Sequence, residues 1–156
     1  RMPPGFLGQT LLTIEFTAVA DAQHPLHQLE RELSSHDLAG HRQFVVRDSG
    51  LKRRQDAGWL GAEQRWTVSH LRTSIQFVKQ GLGFAWLPRE HIREELADGS
   101  LKPLPLIEGG SRQEELFLVF ADRDSAGPAT RALAHALHET CNKARARRQA
   151  PNTSTP

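Results

Sequence analysis

Apolar and polar positions along this chain alternate between two periods. Residues 11–20 (LLTIEFTAVA) put Leu12, Ile14, Phe16 and Ala18 on one face by strict alternation, which predicts a strand. His24-Pro25-Leu26 breaks that pattern, and residues 43–47 (QFVVR) predict a second strand, closed by turn chemistry at Asp48-Ser49-Gly50. Residues 66–68 (WTV) are short, apolar and partly β-branched, as expected of a buried strand. The period then changes. Leu71, Ile75 and Val78 recur at helical spacing, and Ser69 is placed to cap the helix. Gly81 stops it, Gly83 allows a close turn into FAWL (84–87), and Pro88 suits the first turn of another helix. Strand, helix and strand in this order form a βαβ unit and predict parallel pairing.

The flanking patterns add further elements. Ser35 is placed to cap a short helical turn through Asp37, Leu38 and Ala39 to Gly40. Residues 51–64 are charged and read as a short helix ending near Trp59. Residues 90–98 predict a helix with Ile92 and Leu96 facing inward and Gly99 at its end. The prolines of LKPLPL (101–106) restrict it to an edge strand or strand-like loop. ELFLVFA (115–121) is the most hydrophobic strand, and Gly127-Pro128 opens a last helix with an apolar stripe at Ala129, Leu133, Ala136 or Leu137, and Cys141. The prediction is an α/β domain with a mixed or largely parallel sheet.

Composition narrows the function. At 156 residues the chain holds one domain, or one domain and part of another. No apolar run is long enough to span a bilayer, and no secretory pattern opens the sequence. The single cysteine, Cys141, excludes an intrachain disulfide and lies on the predicted inward stripe. Net charge is only +2, yet Lys143, Arg145, Arg147 and Arg148 cluster near the C-terminus. They read either as a nucleic-acid contact or as cations favoured at a helix C-terminus, and no aromatic is interleaved to stack on bases. His135, His138 and Glu139 mimic a metal site but lack the i, i+4 histidine pair of a zinc helix. No G-x-S-x-G elbow, phosphate loop or dinucleotide loop is present, so nothing supports catalysis, a metal or a cofactor.

WTVSHLRTSIQFVKQGLGFAWLP (66–88) resembles the effector-binding domain of LysR-type transcriptional regulators, in which a helix leads into a pattern of valine, paired glycines and Leu-Pro, here Val78, Gly81, Gly83, Leu87 and Pro88. FTAVADAQHPL (16–26), SSHDLAGHRQFVVRDSG (34–50), ELADGSLKPLPL (95–106) and ELFLVFADRDSAGPATRALAHAL (115–137) resemble further family elements in the same order, although the usual Ser-Pro-Ala opening of the last helix reads Gly127-Pro128-Ala129. The resemblance covers roughly residues 10–140 and implies a fold like a type 2 periplasmic binding protein. It assigns residues 1–20 to a loop and crossover strand from the first lobe, 21–112 to the second lobe, and 113–142 to a return strand and C-terminal helix, while the composition of 143–156 reads as a basic, disordered tail. The DNA-binding helix-turn-helix and most of the first lobe are not matched.

What the resemblance implies is a ligand-sensing module without catalytic activity, in the cytoplasm, forming homodimers or tetramers, with a small anionic metabolite held between two lobes. DNA would be a partner only through a helix-turn-helix outside this chain. A transport-type solute-binding protein of the same fold is the alternative. The second lobe's share of the site would come from strand ends and helix starts: Arg47, Ser49 and Gly50 after QFVVR, and Thr67, Ser69 and His70 at the next strand-to-helix turn. Short hydroxyls and backbone N–H groups at a helix N-terminus suit a small anion. Each has a plainer role: Ser69 as a cap, His70 as an exposed first-turn residue, and Arg47 as a surface partner of Asp48.

Overall fold

A computed structural model of the chain describes residues 8–47, 59–120 and 126–149. They form two compact units, one of residues 15–113 and the other of 1–14 with 114–156.

The larger unit is built on a mixed sheet. β1 (Gly8–Asp21) enters it and a 3-10 turn (Pro25–Leu29) follows. Then come α1 (Ser35–Ala39), β2 (Gln43–Val46), β3 (Arg65–Val68), α2 (Leu71–Lys79) and β4 (Phe84–Pro88). A second 3-10 turn (Arg89–Ile92), α3 (Arg93–Asp98) and β5 (Leu101–Pro103) complete it. The strand order is β3-β2-β4-β1-β5. β2 lies between β3 and β4 and pairs in parallel with both, so the βαβ unit is real but spans two strand positions. β1 runs antiparallel to β4 and to β5, with Ala18 opposite Trp86 and Ala20 opposite Lys102.

Side chains alternate across a strand, so β4 feeds two cores. On one face Phe84 joins Ala18, Ala20, Leu26, Leu33, Leu38, Ala62 and Leu104, with Trp59 and Trp86 packed against them. On the other, Ala85 and Leu87 join Val19, Phe44, Ile75, Val78, Ile92 and Leu101. A sheet covered on both faces explains why FAWL is a continuous apolar run rather than an alternating one.

Several expectations change here. β3 is not buried: it is the sheet edge, and Arg65, Trp66 and Thr67 are exposed. Trp66 keeps an apolar contact edge-on to Phe44 and carries the Arg42 guanidinium 4.2 Å above its ring, which explains an aromatic at an exposed position. The cap of α1 is Ser34, not Ser35. Asp37 accepts hydrogen bonds from the Ser34 N–H (2.8 Å) and hydroxyl (2.9 Å), and pairs with Arg31. These donors hold the Asp37 carboxyl well below the usual carboxylate range. Residues 51–58, where the short helix ending near Trp59 was expected, lie outside the described residues, and Trp59 to Gln64 is not helical.

In the smaller unit, β6 (Ser111–Val119) pairs with β1, and α4 (Pro128–Gln149) follows. α4 is longer than its sequence stripe predicts and carries the backbone of Lys143 to Gln149 in helix. The expected stripe is not its buried face. Leu133 is 62% exposed, Ala129, Ala136 and Leu137 are exposed too, and Ala134 is buried instead.

Candidate functional site

Parallel strands β2 and β3 end side by side. Gln43 to Val46 align with Arg65 to Val68, residue for residue. One bond carries the register past the strands: the Arg47 N–H donates to the Val68 carbonyl at 2.7 Å. This sets Arg47 beside Val68 and Ser69, where β3 turns into α2. The carboxyl ends of parallel strands and the start of a following helix therefore coincide at one edge, the usual location of ligands in such sheets.

The turn itself differs from the expectation for Ser69. The residue at the cap position is His70, with extended backbone (φ −132°, ψ 138°), and its side chain makes no capping hydrogen bond. Its carbonyl accepts from Thr73 N–H (3.1 Å) and Ser74 N–H (3.3 Å), which starts the helix. Ser69 is an exposed residue one position earlier. The first N–H groups of any helix lack an i−4 partner, and here the His70 side chain supplies no capping hydrogen bond. No acidic residue lies in the first turn of α2, and the second residue of that turn is the exposed Arg72. The helix dipole, these amides and two exposed arginines, Arg47 and Arg72, all favour negative charge at this edge.

The structure thus brings Arg47, Thr67, Ser69 and His70 to one edge, all exposed. Ser49 and Gly50 lie outside the described residues. Arg72 escaped the sequence reading, although its place two residues after His70 carried the signal. Among the described residues no group of three or more histidine, cysteine or acidic side chains is arranged to hold a metal ion. No helix among them is long and apolar enough to cross a membrane.

The LysR substrate binding domain model matches residues 1–142, and the chain belongs to that family. The probable HTH-type transcriptional regulator YhaJ of Escherichia coli strain K12 is 29% identical over 120 residues, which is 76% of this chain and 39% of the relative. The chain therefore spans well under half the length of this curated relative. ArgP from Mycobacterium tuberculosis shares the fold with a TM-score of 0.67 at 19% identity, over 90% of this chain and 49% of that one. The bromide-bound regulatory domain of HypT from Salmonella typhimurium does so with a TM-score of 0.63 at 14% identity, over 90% and 67%. Membership of this family favours the LysR-type reading over a transport-type binding protein.

Proposed function

We propose that this domain holds a small anionic effector at the edge formed by Arg47, Thr67, Ser69 and His70, with Ser49 and Gly50, which follow Arg47 closely in sequence, as further contact residues. The observation that carries the reading is the start of α2 without a side-chain cap, beside the backbone bond that sets the exposed Arg47 next to Val68. Arg47 supplies charge and a forked donor for a carboxylate or phosphate. Thr67 and Ser69 supply hydroxyl donors, and the first amides of α2 supply the rest. The regulatory domain of HypT, a structural neighbour, carries a bromide ion, which supports reading the ligand here as an anion.

In the whole protein, effector binding biases one arrangement of the regulatory domains over another. That shifts how a cytoplasmic homodimer or tetramer presents a helix-turn-helix, outside this chain, to DNA. An effector moves that equilibrium only by its differential affinity for the two arrangements. The test is Thr67→Ala with Ser69→Ala in the intact regulator. Effector-dependent control of a reporter operator is expected to be lost while operator binding in a mobility-shift assay is kept. Loss of operator binding together with the circular dichroism signature of the fold would make these residues structural and overturn the assignment.

A further inference from the structure

Three histidines, His24, His27 and His41, gather at the corner where β1 ends. His24 is buried, and its Nδ1 accepts the Leu26 N–H at 3.2 Å, so the imidazole caps the Pro25–Leu29 turn. Its ring lies 5.1 Å from that of His41, centroid to centroid, at 59°. His41 sits on the link between α1 and β2, anchored by its N–H on the Leu38 carbonyl. The contact therefore ties two separate chain crossings together. Beside the capped amide, the Leu26 side chain is fully buried in the core with Leu33, Leu38 and Phe84.

We propose that the His24–His41 ring pair is a proton-operated latch: neutral, it fixes the Pro25–Leu29 turn on the core, and a proton on His24 releases it. The chemistry is local. Nδ1 accepts the Leu26 N–H only while it is unprotonated, and a proton there sets donor against donor. The new charge would also be buried next to a second imidazole. The His24 pKa is lowered from 6.5 to about 4, chiefly by burial and then by His41 and His27, while Asp21 at the end of β1 acts the other way. His27, on the same turn, is also lowered, chiefly by burial and then by Lys102 of β5, while the Lys102 and Ala20 carbonyls and Asp21 oppose this.

The sign follows from linkage. The folded state binds fewer protons at His24 than the open state between pH 6.5 and about 4, so closure is fully favoured above this window and weakens as pH falls through it. With those two values the opening constant of the turn rises about 20-fold from pH 7 to pH 5. The latch does not depend on the effector site.

The test is amide exchange of the full chain by NMR, with protection corrected for intrinsic rates, together with the titration of the His24 ring. Leu26 protection should fall about 20-fold from pH 7 to pH 5 in the wild type, while Val78, on the other face of the sheet, changes less. In His24→Asn, which keeps a capping acceptor but does not titrate, Leu26 protection should stay level. In His41→Asn, the His24 ring should titrate at higher pH than in the wild type. A His24 ring that titrates near 6.5 in the wild type overturns the proposal even if His24→Asn fails to fold. So does Leu26 protection that falls equally in the wild type and His24→Asn.

Discussion

A β-carbon added to Gly83 would lie 2.2 Å from the Arg42 carbonyl oxygen, which itself accepts the Phe84 N–H at 2.9 Å. The obstacle is backbone, joined to the first residue of β4, so it cannot swing aside as a flexible side chain would. Gly83→Ala is expected to destabilise the protein by about 3 kcal/mol or more, read as a lower urea midpoint at unchanged slope. An unchanged midpoint would mean that the Arg42–Phe84 junction is looser than described. Asp37 makes a different kind of contribution. Its pKa is lowered by Arg31 first and by Ser34, so the contribution is in place above pH 3.8 and is lost as pH falls below it. Asp37→Asn should speed amide exchange in α1 at pH 7, with the difference from the wild type shrinking as the carboxyl protonates. Equal exchange at pH 7 would show that the Ser34 cap does not need the charge. Both glycine roles in GLG were legible from the turn they make; the identity of the α1 cap was not, because Ser34 and Ser35 are adjacent and chemically alike.

At the scale of elements, the sequence pattern was most informative where one periodicity met one burial surface. Ile75 and Val78 of α2 are buried as their spacing predicts, and so is Ile92. Ile92→Ala should cost about 2–5 kcal/mol by calorimetry or denaturant titration, since it deletes a fully buried side chain. The pattern misled where an apolar stripe faces outward. Leu133→Ser in α4 should change the stability of this chain by no more than about 0.5 kcal/mol, the reverse of what its place in the stripe suggests. A large loss would put Leu133 in a core after all. β3 misled in the same way: WTV reads as buried, but Trp66 satisfies its apolar ring locally, against Phe44 on one strand and under Arg42. Edge and centre are properties of strand order, and short apolar runs carry no information about order. The insertion of β2 between the two strands of the βαβ unit is likewise absent from local pattern.

On the scale of the whole molecule, the proposed function rests on where elements end rather than on any one motif. The resemblance to LysR-type regulators lay in the order of weak motifs, and the family match over residues 1–142 bears it out. The anion-favouring edge came from sheet geometry: a residue-for-residue parallel register delivers Arg47 to the uncapped start of α2. Arg72 joined the edge only once the helix start was placed at His70. The most direct test of this account is an amide chemical-shift map of the intact regulator titrated with a panel of small carboxylates and phosphate esters. A saturating anion is expected to shift the amides of Arg47 and of Ser69 to Thr73 first, and Arg47→Ala to weaken binding about 10-fold or more. Saturable binding that leaves those amides unmoved, or that Arg47→Ala does not weaken, would contradict it.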